Sequence, residues 1–348
     1  MEKHRLDAIL ITSLENVRWL SGFTGSAGIV FLTGGKKYFL TDGRYTTQAS
    51  EEARGFTIRE YTKRAQGIAD LARSLRVKKI GFEGRAMSYQ EFREIKGALG
   101  RSRLVPLGEE IESIRAIKDR AELSLLSQAI KVASVSFRKI VKKIAPGVRE
   151  RELAMEMEFS SKKNGSGNLP FEIIVASGPR SALPHAQPIE KKIRAGECVI
   201  IDFGASWKGY HSNTTRTFIT GRPTQRQVYV YQAVRDAHDK AIEGIRPGMT
   251  GREVDGIARG HLKEKGLGRY FRHGLGHGIG LNVHEPPMLS PLSGNVIEEG
   301  MVVTIEPGVY IPGWGGVRIE DMVTVTRDGC TVMTGDMEIE KYGRGHLQ

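Results

Sequence analysis

Apolar positions along the chain fall into short runs punctuated by turn residues, and they divide it into two regimes. Up to about residue 112, strand-like and helix-like patches alternate. The stretches 8–12, 28–32, 37–41 and 79–82 predict strands, and helical spacing fits 44–54, 66–76 and 88–99. This is the pattern of a small α/β domain. The Gly-rich segment 22–28 does not open a helix, which argues against a phosphate loop. Beyond residue 113 the spacing lengthens. The stretch 114–144 contains a long amphipathic helix ended by Pro146-Gly147, and a second helix covers 149–163. Strands are predicted at 171–176 and 199–204, with a hairpin return over 210–218 that brings residue 213 beside Asp202. Thr224 with Gln227, and Thr250 with Glu253, have capping-box spacing at the starts of two further helices.

The second regime contains a repeat. Residues 144–152 match residues 245–253 around a shared Pro-Gly, at an offset of 101 positions. In both copies a long helix precedes the Pro-Gly, and a shorter helix and then strands follow. Duplication therefore predicts a pseudo-symmetric α/β unit. The organisation is an N-terminal domain over 1–113 and a second domain over 114–348.

Composition excludes several classes. The 348 residues are 39% hydrophobic and 26% charged, as in an ordinary soluble globular protein. The net charge of +12 is spread without a basic block or an RNA-stacking motif. It reads as a solvated basic surface, not nucleic-acid binding. Cys198 and Cys330 are far apart, as expected of reduced thiols in a cytoplasmic protein. The apolar run near the N-terminus is too short for a signal-peptide core, and no run reaches membrane-spanning length.

Candidate chemistry is concentrated between residues 273 and 284, where three of the nine histidines stand among glycines at 274, 276, 278 and 280. Glycine disfavours a helix here, so the stretch predicts a strand or extended loop with His273 and His277 on one face. The plainer alternative is a Gly-rich turn with incidental histidines. Carboxylates set into apolar strands weigh against it. Asp202 lies in one such strand, Glu306 ends another, and Arg318 and Glu320 are predicted to share a strand face. A buried carboxylate needs a cation or strong donors. Asp202, His277, Glu306 and Glu320, with the polar residue Asn213, form an oxygen-rich set with one imidazole. It suits Mn, Co, Fe or Zn and not a thiolate-rich structural zinc.

Five separated signatures now occur in order: Leu183-Pro184-His185; Asp202-Phe203-Gly204 with residues 212–217; the stretch 276–285; Thr304-Ile305-Glu306-Pro307-Gly308; and Val317-Arg318-Ile319-Glu320-Asp321. Together they resemble the creatinase/methionine aminopeptidase ("pita-bread") metallopeptidase family, and within it the Xaa-Pro peptidases, prolidase and aminopeptidase P. The resemblance covers most of the chain. It implies an α/β (α+β) fold with a creatinase-like N-terminal domain and a pita-bread catalytic domain. It also implies two divalent metals per chain, Mn or Co foremost, and hydrolysis of Xaa-Pro dipeptides or short peptides by a metal-bound hydroxide. A homodimer without membrane association is a further implication. Asp202, His277, Glu306 and Glu320 would be metal ligands, with Glu320 bridging and Glu306 also moving a proton. His185, His273 and His284 would line the substrate site, and Arg318 would hold substrate or neighbouring carboxylates.

One position departs from the pattern. The family places a second, bridging Asp eleven residues after the first, where this chain has Asn213. A neutral amide oxygen cannot chelate as an anion. The expectation is one well-held metal, a weak second position, and reduced or single-metal activity. A catalytically retired binding module and a methionine aminopeptidase-like enzyme are the alternatives.

Overall fold

The computed structural model describes residues 1–337. The chain divides into two compact units, Met1–Arg115 and Ala116–Gln348. The first contains β1 (Ala8–Ile11), α1 (Leu14–Ser21), β2 (Ile29–Thr33), β3 (Lys37–Thr41), α2 (Thr46–Glu52), β4 (Thr57–Glu60), α3 (Arg64–Ser74), β5 (Lys79–Glu83), α4 (Tyr89–Leu99) and β6 (Arg103–Leu107), and closes with α5 (Glu110–Ala116). Its mixed sheet has the order β4-β3-β2-β1-β5-β6. Alternate residues serve two cores. Leu10, Phe31 and Leu40 pack on one face, and Ile11, Val30 and Phe39 on the other. Burial on both faces explains why these strands read as continuous apolar runs rather than alternating ones. Helix α1 and strands β4 and β6 were not expected from the pattern. Strand β4 is largely exposed, so it carries little hydrophobic signal.

The second unit opens with α6 (Arg120–Val141) and α7 (Glu150–Lys163), then β7 (Ile174–Ser177), β8 (Cys198–Phe203), β9 (Ser206–Trp207), β10 (Tyr210–His211) and β11 (Thr214–Ile219). It continues through α8 (Gln225–Gly244), α9 (Gly251–Glu264), β12 (Gly276–Gly278), β13 (Glu285–Leu289), β14 (Val302–Ile305), β15 (Gly308–Ile311), β16 (Gly315–Arg318), β17 (Asp321–Thr326) and β18 (Gly329–Val332). The break before α6 falls at Asp119, which forms a capping box with Glu122. Thr224 and Thr250 cap α8 and α9 in the same way.

The repeat recurs in backbone pairing. Gly147 N–H donates to Ile193 O at 2.9 Å, and Gly248 N–H to Ile297 O at 2.8 Å. The return bonds, from Ile193 to Val148 O and from Ile297 to Met249 O, are both 2.8 Å. Each Pro-Gly turn is thus clipped to the segment leading into a central strand, β8 in one half and β14 in the other. Both strands lie between antiparallel neighbours, in the orders β11-β8-β7 and β12-β14-β17. An isolated bridge between Thr215 and Glu320 joins the halves. The two halves therefore place Asp202 and Glu306 at corresponding strand ends, and Asn213 and Glu320 at the neighbouring positions.

Candidate metal centre

The site is built from strand ends that face each other across this junction. On the β8–β11 ladder Thr215 stands opposite Asp202, so Asn213 is its diagonal neighbour on the same face. The hairpin expected here is interrupted by the short β9–β10 pair, and Asn213 lies just before β11. Arg318 and Glu320 do not share one strand. Arg318 ends β16, and Glu320 stands alone, bridged to Thr215, before β17 begins. The break leaves both side chains buried in the same region, Arg318 at 2% exposure and Glu320 at 0%.

Close backbone approach explains the glycines of β12. A Cβ on Gly276 would lie 1.9 Å from Thr304 O, and one on Gly278 would lie 2.3 Å from Pro286 O. Strand β12 is thus squeezed between β13 and β14, which fixes His277 between its neighbours. Gly276→Ala is expected to lower stability by about 1–3 kcal/mol, because backbone atoms, not flexible side chains, must give way. Urea unfolding measures this, and an unchanged midpoint would contradict it.

One nitrogen and two oxygens, from His277, Glu306 and Glu320, lie within 4.8 Å of one another. His277 Nδ1 donates to Gly278 O at 3.0 Å, which fixes its tautomer and leaves Nε2 with a free lone pair. His277 Nε2, Glu320 Oε1, Asp202 Oδ1 and Asn213 Oδ1 are all buried without a hydrogen-bond partner. Orphaned acceptors are costly in a dry interior. Four of them from neighbouring strand ends fit a divalent cation, and the donor set is hard to borderline in character.

Electrostatics point the same way. Burial, reinforced by the charge of Asp202, pushes the Glu306 carboxyl up to about 8. Burial, then Glu306 and Asp202, hold the Glu320 carboxyl well above its ordinary range. Burial, with His284 nearby, takes His277 down to about 3. Without a cation this group of carboxyls resists ionising together.

A second network surrounds these atoms. Arg318 donates to Asp202 Oδ2 at 2.6 Å, Tyr310 OH at 2.8 Å, Pro184 O at 3.1 Å and Thr215 Oγ1 at 3.1 Å. Thr215 Oγ1 in turn donates to Glu320 Oε2 at 2.7 Å. Tyr310 OH accepts from Arg318, so its own proton can go to His273 Nε2 at 2.9 Å, and His273 Nδ1 then donates to Gly274 O at 2.7 Å. His273 lines the cavity, yet both its ring nitrogens are engaged by protein groups. His185 and His284 are the exposed imidazoles, and the His284 ring lies 4.2 Å from that of His277. Thr215 and Glu285 lie within the signatures 212–217 and 276–285 but had no role assigned from sequence, and neither did Tyr310 or Lys118, which is buried 2.7 Å from Glu285 beside His284. Only Thr215 had a local signal, because it shares the two-residue periodicity of position 213.

Asp202, Asn213, His185, His273, His277, His284, Glu306 and Arg318 line one cavity of about 440 Å³ in the second unit. Glu320 is not part of this lining and is fully buried. Cys198 and Cys330 are free and lie outside this lining. Among the described residues no helix is long and apolar enough to cross a membrane.

Comparison with known proteins agrees with this geometry. A model of metallopeptidase family M24 matches residues 124–327, and one of the creatinase/prolidase N-terminal domain matches residues 1–117. The chain is 36% identical to an Xaa-Pro dipeptidase of Pyrococcus horikoshii over 96% of this chain and 94% of that one. It superposes on an Xaa-Pro dipeptidase from Bacillus anthracis with a TM-score of 0.93 at 41% identity, covering 96% of this chain and 94% of that one. For the X-Pro aminopeptidase from Thermotoga maritima the TM-score is 0.87 at 36% identity, covering 94% and 95%. Two family models, solved-structure likeness along nearly the whole length and a carboxylate–imidazole cluster agree: the chain belongs to metallopeptidase family M24, with a creatinase/prolidase N-terminal domain preceding its pita-bread catalytic unit.

Proposed function

We propose that this metallopeptidase is an exopeptidase that cleaves Xaa-Pro bonds, with Mn or Co as its working ion. The observation that carries the reading is the set of orphaned acceptors on Asp202, Asn213, His277 and Glu320 around one cavity. Similarity to an Xaa-Pro dipeptidase and an X-Pro aminopeptidase supports the substrate class. His277, Glu306 and Glu320 would hold the principal ion, and Asp202 with Asn213 a weaker one. Bound there, a divalent ion supplies Lewis-acid polarisation of the scissile carbonyl and makes water nucleophilic at neutral pH.

The remaining roles belong to the chain. The exposed imidazoles of His185 and His284 donate to the carbonyl oxygen before proline as it gains charge. Glu306, ionised once a cation is bound beside it, would take a proton from the attacking water and return it to the leaving proline nitrogen. That nitrogen bears no hydrogen in Xaa-Pro, so the site needs no acceptor for an amide N–H. His273 and Tyr310 position Arg318, which orients Asp202. A homodimer follows from the resemblance alone, a cytoplasmic location from the separated thiols Cys198 and Cys330, and the domain boundary expected at residue 113 lies two positions before the division after Arg115.

Removing metal by chelation is expected to abolish cleavage of Ala-Pro-Ala and Ala-Pro, and adding Mn or Co back to restore it. Cleavage that survives verified metal removal would defeat the reading. Asn213 favours one other possibility, a retired binding module, which predicts no metal and no cleavage under any loading.

A further inference from the structure

One buried carboxylate of the second unit takes no part in the cavity lining. Glu150, the first residue of α7, is 0% exposed. Its oxygens accept at both ends of the segment that leaves β7 and carries Leu183-Pro184-His185. Oε1 accepts from the N–H and the hydroxyl of Ser177, each at 2.8 Å. Oε2 accepts from Arg180 Nε at 3.1 Å and from Ile189 N–H at 3.4 Å. Arg180 then spans the segment by donating to Gln187 O at 2.5 Å. One carboxylate thus ties residue 177 to residue 189. Between them His185 stands exposed at the cavity.

The repeat shows what this side chain stands in for. Glu150 and Gly251 occupy matching positions, and their N–H groups make matching bonds, to Lys191 O at 3.1 Å and to Asn295 O at 2.8 Å. In the second half the backbone itself closes on the helix, since a Cβ on Gly251 would lie 2.0 Å from Met288 O. In the first half a carboxylate fills the corresponding place. An apolar side chain could fill it too, and replacing a buried ion pair in that way is often neutral for stability. It could not accept from Ser177, Arg180 and Ile189 together. A fixed loop geometry is what the charge adds.

We infer that Glu150, with Arg180, is a positioning residue for His185: the pair holds the 177–189 segment so that the imidazole is presented to the cavity. What that presentation serves, donation to the carbonyl oxygen before proline, rests on the Xaa-Pro reading above.

The test is a double-mutant cycle on the metal-loaded full-length protein, read by kcat and KM for Ala-Pro-Ala and by hydrogen exchange. Glu150→Gln keeps the shape and one acceptor oxygen but loses the charge and the second acceptor. It is expected to lower kcat by about tenfold, a part of the ~10²-fold that losing an oxyanion donor costs, with KM within about twofold. Exchange should accelerate over residues 177–189 and stay at the parent rate in β8 and β14. In a His185→Ala background the same substitution should change kcat by less than about twofold, because the group it positions is gone. A tenfold loss in both backgrounds, an unchanged kcat in the single variant, or exchange that accelerates across the whole unit would overturn the inference. Arg180→Gln, at a side chain 26% exposed, runs the same cycle if Glu150→Gln does not fold. A loss confined to the background that retains His185 supports the inference, and equal losses in both overturn it. Faster exchange confined to 177–189, in a protein whose parent form cleaves no Xaa-Pro compound, would remove the Xaa-Pro reading and leave the positioning of His185 standing.

Discussion

Asn213→Asp is expected to raise the bound metal from about one ion per chain to about two, and to speed Xaa-Pro cleavage by about 10²-fold, the scale on which single preorganised electrostatic groups act. The reason is the charge available at the strand ends. Asp202 and Asn213 are diagonal neighbours on the β8–β11 ladder, and each keeps one buried oxygen without a partner. The other oxygen of Asp202 is held by Arg318 at 2.6 Å. An ion at this end therefore has one half-neutralised carboxylate and one amide dipole. At the opposite end His277, Glu306 and Glu320 already converge within 4.8 Å. Replacing the amide with a carboxylate adds a full negative charge at an unchanged position and nearly unchanged volume. Elemental analysis and metal titration of both forms would read the stoichiometry, and kcat/KM on Ala-Pro-Ala the rate. Two tightly held ions in the parent chain, or an Asn213→Asp form with unchanged stoichiometry, would remove this account of position 213.

Much of this was legible in the sequence because it is local. The Pro-Gly turns of the repeat, the capping boxes at Thr224 and Thr250, and the glycines around His277 each declare themselves within a few residues. Asp202 and Glu306 were visible as charges at the ends of apolar strands. What joins them is not local. Thr215 matters because it stands opposite Asp202 and also bridges Glu320, 105 positions away. Tyr310 matters because it links His273 to Arg318. Tyrosine is not unusual in a strand, so only the fold reveals Tyr310, and the two-residue spacing of Thr215 from position 213 does not disclose that it joins the two halves. The shared strand expected for Arg318 and Glu320 failed for a related reason. The chain leaves β16 to cross to the other half of the fold at Glu320, and a period-two pattern continues through such a break unchanged. The correspondence of Asn213 with Glu320 has no sequence signal, since the two side chains share only their place relative to a central strand.

Glu320→Gln is expected to cut metal affinity and kcat/KM by more than the ~100-fold typical of losing an outer-shell partner, while making the metal-free protein more stable. Glu320 is fully buried, one of its oxygens accepts from Thr215, and the other is orphaned. Such a carboxylate serves a cation and burdens the fold without one. The amide oxygen of Gln still accepts from Thr215, and its NH₂ faces the acceptors that Glu320 repels. The gain in metal-free stability should be about 1–3 kcal/mol, the penalty of an uncompensated buried polar group. Its pH dependence has a definite sign. Burial raises the Glu320 carboxyl well above the ordinary 4.5, as it raises Glu306 to about 8. Below about 4.5 both folded and unfolded chains hold these protons, and the groups do not oppose folding. As pH rises toward 8 the unfolded chain releases them while the folded chain keeps them, so the metal-free protein loses stability. Glu320→Gln lacks one of these groups, and its advantage over the parent should therefore widen between pH 5 and 8 and vanish near pH 4. Urea unfolding after chelation, run across that range, reads the difference directly. A variant that is less stable than the parent at pH 8 without metal would show that Glu320 contributes to the fold rather than to the ion, and would take the metal centre apart at its most buried ligand.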